Sequence, residues 1–214
     1  MATAKRTTSA APRHRTPSIE VVRAVVDAAI QIIGTDGAEG VTVRRLAAEA
    51  GVAPMSIYNH FGDMHGVFDA VFEHGFTVFA EHLRMSAPTE DPVMDLHRMG
   101  QTYRLFAVKN PDLYRFMFLT PIADFEPSEE SSSAAAQAFE ALHNVVTRSL
   151  DSKRFRPGNA SVIAQQIWAT CHGAVALELL GMAEFADVNE TYDALLVTLL
   201  RGLLRNPEES EVLA

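Results

Sequence analysis

Val41-Thr42-Val43-Arg44-Arg45-Leu46-Ala47-Ala48-Glu49-Ala50-Gly51-Val52-Ala53-Pro54-Met55-Ser56-Ile57-Tyr58-Asn59-His60-Phe61 is the stretch that decides the fold. The Thr42 hydroxyl suits a helix N-cap, and Val43, Leu46, Ala47 and Ala50 then recur along one helical face. Gly51 follows, the residue type that accepts a tight turn without steric cost. Pro54 opens the next helix, where its missing N–H is not needed. This second helix ends near His60-Phe61 and turns Val52, Ile57 and Phe61 towards a core, leaving its other side free. Two short helices joined by a turn containing glycine predict a helix-turn-helix.

Upstream, Thr16 is a candidate N-cap and Pro17 a first helical residue. Val22, Val25, Val26, Ala29, Ile30 and Ile33 then mark an apolar stripe that Gly34-Thr35-Asp36-Gly37 is expected to end. Downstream, Asp63 is placed to cap a fourth helix running to about Arg84 and carrying Val67, Phe68, Val71, Phe72, Phe76 and Phe79. Pro88 and Pro92 interrupt the chain, and further helical patterns cover 93–108, 111–119, 132–150, 159–181 and 189–205. The Ser- and Glu-rich start of 126–136 reads as a loop before a helix, and no hairpin signal is found. The expected fold is all-α: a basic arm over 1–16, flexible on composition, a three-helix module over 17–62, and a larger helical body over 63–214.

The 214 residues are 48% hydrophobic and 21% charged, an ordinary globular composition with enough material for a real core. The net charge of −9 argues at first against nucleic acid, but it is unevenly placed. Residues 1–65 carry seven Lys/Arg against six Asp/Glu, whereas 66–214 carry eleven against twenty-one. The acidic load therefore belongs to the body, and Lys5, Arg6, Arg13 and Arg15 in the arm are suited to following phosphates or a minor groove. A single cysteine, Cys171, leaves no intramolecular disulfide to form. No apolar run has the length of a membrane span, and a cytoplasmic location is expected.

The run 41–61, with the helix after it, closely resembles the DNA-binding signature of TetR-type regulators: T-x-R-x-hydrophobic-A-x-x-A-G-V, then a short recognition helix ending hydrophobic-Y-x-H-F. The resemblance extends over about residues 18–80 and implies binding to a double-stranded DNA operator. Thr42 would give its hydroxyl to a phosphate at a helix N-terminus, with Arg44 and Arg45 in the same turn. Arg44 could meet phosphate or a base edge, or remain a solvated surface residue. Pro54, Met55 and Ser56, at the start of the recognition helix, would face base edges. Met55, where the family often has a small residue, could press on a thymine methyl. The resemblance assigns Tyr58 and His60 to phosphate contacts and leaves Asn59 free to reach base or backbone; His60 could equally hydrogen-bond within the module. One departure stands out: the family commonly continues F-x-x-K, and here Phe61-Gly62-Asp63-Met64 lacks the lysine, so modest, salt-sensitive affinity is expected.

In the body, Asn110-Pro111-Asp112-Leu113-Tyr114-Arg115-Phe116-Met117-Phe118 and the W-x-x-x-H-G run Trp168-Ala169-Thr170-Cys171-His172-Gly173 resemble one C-terminal type of the same family. Aromatic and Met side chains are mostly core at helical spacing, but some of them would line a pocket between bundle helices. Phe79, Met99, Tyr103, Phe106, Tyr114, Met117, Trp168 and His172 are the candidates, and the implied effector is a small apolar or aromatic molecule. The last two helices are apolar over much of their circumference through Ile163, Ile167, Ala174, Leu177, Leu180, Leu195, Leu196, Leu199, Leu200 and Leu203. By the resemblance they form a four-helix interface in a homodimer, so the body serves ligand binding and dimerisation, and no cofactor is implied. The family default is a repressor released by its ligand.

Other classes are weaker. Cys171 and His172 point about 100° apart on a helix, a poor nucleophile–base pair. H-E-x-x-H, P-loop and Gly-rich dinucleotide motifs are absent from the sequence, so an enzyme is not expected. A metal-responsive regulator would need clustered ligands, and His74 and His82 at i, i+8 are too far apart to share one ion. A non-catalytic helical interaction module without DNA remains the other alternative.

Overall fold

The computed structural model describes residues 18–85, 88–120, 122–183, 187–206 and 208. Among them are α1 (Ser18–Asp36), a 3-10 turn (Ala38–Gly40), α2 (Val43–Glu49), α3 (Pro54–Phe61), α4 (Met64–Arg84), α5 (Pro92–Lys109), α6 (Pro111–Phe118), α7 (Glu129–Asp151), α8 (Ala160–Leu179) and α9 (Val188–Leu203). The only β pairing among the described residues is an isolated bridge between Phe155 and Leu204. The arm, with Thr16 and Pro17, lies outside the described residues.

Side-chain caps set most of the helix starts. Thr42 Oγ1 accepts from the Arg45 N–H at 3.3 Å, and Asp63 accepts from the Gly66 N–H at 3.0 Å. Asp91, Ser128, Asn159 and Asp187 do the same for α5, α7, α8 and α9. Ser128 as the cap explains why α7 begins at Glu129, three residues before the periodicity predicts. Gly51 carries φ +66° in the helix-turn-helix turn and Gly62 φ +77° at the end of α3, both in the left-handed region that favours glycine.

Helix α1 ends inside the expected Gly34-Thr35-Asp36-Gly37 run: it continues to Asp36, and Gly37, with φ +72°, follows it, while the expected apolar stripe is corrected. Gly34 serves packing: a Cβ there would collide with the Asp112 side chain of α6. The buried stripe is Val21, Val25, Val26, Ala28, Ala29 and Ile32, rotated from the predicted one, on a helix that packs against α4 and α6 as well as α2 and α3.

Val25, Ala29, Leu46 and Ile57 are fully buried and join α1–α3 into one small core, which Val67 and Val71 of α4 continue. From Phe68 onward α4 also meets the body: Phe68 packs on Phe116 and Phe125, Asp69 accepts from the Ser128 N–H, and the most extensive pairing is with α7. Helix α5 packs on α7, α8 and α9, and α6 lies against α1, α4 and α5. One helix is therefore shared by both halves of the molecule. No helix of the described residues is long and apolar enough to cross a membrane.

Candidate nucleic-acid interface and ligand chamber

Helix α3 buries Ile57 completely and half-buries Phe61, so its opposite side is fixed outward. Pro54, Met55, Tyr58 and Asn59 are exposed and span an arc of about 140° at 100° per residue. Met55 is 65% exposed, with no packing role among the described residues. No side chain caps α3: Pro54 brings no N–H, the Ser56 N–H donates to the Ala53 carbonyl at 2.8 Å, and the helix carries no carboxylate. Ser56 is half-buried on the flank. The expected contact residues therefore divide: 54, 55, 58 and 59 share one outward face, and 56 and 60 do not.

His60 is held within the module. Its Nδ1 lies 2.7 Å from the Ser56 carbonyl and its Nε2 2.9 Å from Ser18 Oγ, which pins the end of α3 to the start of α1. Arg45, although exposed, is paired on the surface with Asp36 at the end of α1 and bonded to Thr35. Those bonds from Arg45 and Thr35 hold the Asp36 carboxyl below the usual carboxylate range. Arg44 and Thr42 remain exposed in the first turn of α2. At the start of α4, where the family lysine is missing, Met64 is half-buried against the core and the Asp63 carboxylate occupies the cap. A phosphate is not welcome there, and His65 rests on Phe125, with ring centroids 5.1 Å apart.

In the body, α4, α5, α7 and α8, with Phe118 of α6, enclose a chamber of about 410 Å³. Its wall is Phe76, Phe79, Leu83, Leu96, Met99, Gly100, Tyr103, Phe118, Ala135, Ala138, Phe139, Leu142, Gln165, Ile167, Trp168 and Cys171. Of the expected set, Phe79, Met99, Tyr103 and Trp168 meet on this wall. Phe106, Tyr114, Met117 and His172 are not part of it: Phe106 is fully buried core, and Met117 packs where a Cβ on Gly75 of α4 would be. The α7 residues Ala135, Ala138, Phe139 and Leu142 form a side of the chamber that an inventory of aromatic and Met residues alone could not reveal, although their apolar spacing on a long helix carries the signal.

Tyr114 and His172 stand directly behind the wall. The Tyr103 and Tyr114 hydroxyls are 2.7 Å apart, and His172 Nδ1 is 2.8 Å from Tyr114 Oη and 3.2 Å from Tyr103 Oη. Burial pushes both phenols above their ordinary range, so they stay protonated. Burial also lowers the His172 imidazole, favouring its neutral form. The W-x-x-x-H-G spacing places Trp168 and His172 one helical turn apart, ring centroids 5.7 Å from each other, so one residue lines the chamber and the next fixes the phenol behind it. A group whose pKa is depressed by folding supports the fold above its unfolded value and withdraws that support as pH falls below it. The loss of thermal stability on going from pH 7.5 to more acidic buffer is therefore expected to be smaller in His172→Gln than in the parent, as read from paired melting curves.

Ile163, Ile167, Leu196 and Leu200 are buried within the chain, whereas Leu177 and Leu180 are 44% and 58% exposed on α8. Among the described residues, no three His, Cys, Asp or Glu side chains are grouped to hold a metal ion.

Residues 25–71 match the family described as bacterial regulatory proteins, tetR family, and residues 96–199 match the tetracyclin repressor-like C-terminal domain. The nucleoid occlusion factor SlmA of Haemophilus influenzae is 29% identical over 177 residues, covering 76% of this chain and 80% of that protein. Among solved structures, a protein of unknown function from Rhodococcus sp. RHA1 superimposes with a TM-score of 0.78 at 27% identity, covering 91% of this chain and 99% of the other. The transcriptional regulator FadR from Bacillus subtilis, solved in complex with stearoyl-CoA, gives a TM-score of 0.72 at 18% identity, over 85% and 98% of the two chains. With its two halves matched in order and its helix-turn-helix built as described, the chain belongs to the TetR family of DNA-binding regulators.

Proposed function

We propose that this protein is a dimeric repressor that leaves a pseudo-palindromic operator when a small apolar or aromatic molecule fills the chamber. One observation carries the reading: α4 packs into the α1–α3 core through Val67 and Val71 and walls the chamber through Phe76, Phe79 and Leu83. A guest that changes the packing around the second set changes the footing of the recognition helix through the first. Release then follows from a difference in DNA affinity between the filled and empty states.

The dimer is read from α8 and α9. Helix α8 is apolar over much of its circumference, and its outer side presents Val162 and Leu177, with Leu180 as its C-cap. A second copy meeting this face in a twofold arrangement covers it and sets two α3 helices about one DNA turn apart.

The test is an operator selected from random duplex DNA and titrated with the protein by fluorescence anisotropy, with and without a chamber ligand. Unchanged affinity at saturating ligand rejects release. The same titration across a salt series separates the two arginines. Arg44→Ala is expected to lower the salt slope by about one per protomer, whereas Arg45→Ala, whose guanidinium is held by Asp36, leaves the slope unchanged.

A further inference from the structure

The effector of the chamber has a definable chemistry, set by what its wall lacks and by how the hydroxyl protons behind it are used. None of the residues on the wall is Asp, Glu, Lys, Arg or His. A carboxylate, phosphate or ammonium group placed inside would give up its hydration with no opposite charge to replace it. The polar residues of the wall are Tyr103, Trp168, Cys171 and Gln165; the Trp168 side chain interacts with the Tyr103 hydroxyl and the Cys171 thiol with Tyr192, while Gln165 is exposed where the chamber reaches the surface.

The Tyr103 hydroxyl is already committed by its neighbours. Two O–H protons, from Tyr103 and Tyr114, meet a neutral imidazole nitrogen behind the wall. With His172 Nδ1 as acceptor, the Tyr114 O–H donates to it over the shorter distance, 2.8 Å against 3.2 Å, and the Tyr103 O–H donates to Tyr114 Oη at 2.7 Å. Both protons are then used. The opposite tautomer would leave a Tyr103 O–H pointing into an apolar space without an acceptor, the costlier alternative. What Tyr103 offers the chamber is therefore an oxygen lone pair and no proton.

We propose that the effector is an uncharged molecule of phenol or alcohol type, seated with its ring or chain between Phe79 and Trp168 and donating its O–H to Tyr103 Oη. This rests on the chamber being the effector site. Gln165 at the mouth both donates and accepts, so it does not discriminate among guests; Tyr103 does.

Trp168 is the only tryptophan in the chain, and it forms part of the wall, so its emission reports occupancy directly. Three probes of matched size, para-hexylphenol, para-hexylanisole and para-hexylbenzoate, are titrated into the full-length protein near neutral pH. The phenol is expected to bind about five- to tenfold more tightly than the ether, the ratio for one net hydrogen bond, and more tightly than the anion. In Tyr103→Phe the preference for phenol over anisole falls to about twofold or less, with an unchanged helical circular dichroism spectrum showing an intact fold. If that variant does not fold, the comparison in the parent protein still decides. Anisole or benzoate binding as tightly as the phenol, with a full Trp168 response, overturns the assigned chemistry and leaves the chamber as a site. A Trp168 signal that none of the three probes moves overturns the chamber reading and this proposal with it.

Discussion

Ile57→Ala is expected to cost about 2–5 kcal/mol and to abolish operator binding, the largest effect foreseen for any single truncation of the small N-terminal core. Ile57 is fully buried and is the anchor that keeps α3 against Val25, Ala29 and Leu46. Removing it opens a cavity beneath a helix of only eight residues, and isolated helices of that length do not hold in water. The outward arc of Pro54, Met55, Tyr58 and Asn59 then loses its support although none of its side chains is altered. Urea unfolding followed by circular dichroism reads the stability change, and anisotropy on a labelled operator reads the binding. A variant that binds DNA like the parent would show that α3 does not depend on this anchor.

Leu177→Glu combined with Leu180→Glu is expected to yield a monomer and to weaken operator binding by about 100-fold or more, because the second half-site contact ceases to be intramolecular. Both side chains are exposed on α8, so within one chain the substitutions are mild. Across a twofold axis each would place a carboxylate in the apolar seam, next to its own symmetry mate. Sedimentation velocity gives the mass and anisotropy gives the affinity. A variant that sediments as a dimer moves the interface elsewhere.

The local signals were legible in the chain to the degree that their causes are local. Thr42, Gly51 and Asp63 act on backbone groups within three residues, and the sequence places each of them correctly. The end of α1 was legible in the Gly34-Thr35-Asp36-Gly37 run, but the packing role of Gly34 was not, because it answers to Asp112 on a helix far along the chain. The same limit governs the site. Helical spacing tells that Phe106, Tyr114 and Met117 point inward, but not whether inward means a packed core or the edge of a space. The Tyr103, Tyr114 and His172 cluster draws on α5, α6 and α8, and only the packing of three helices brings it together. Arg45 was similarly ambiguous: a basic residue in the first turn suits a phosphate, and it took an acidic partner at the end of α1 instead.

The helix shared between the two halves is also a lever. At 21 residues, α4 is about 30 Å long. A pivot of roughly 5° about its chamber end carries the opposite end about 2–3 Å, comparable to the spacing between neighbouring hydrogen-bonding atoms. A guest need not distort the body visibly to matter, since a small change in side-chain packing around Phe79 becomes a displacement at Met64 large enough to take a recognition helix out of register with a groove.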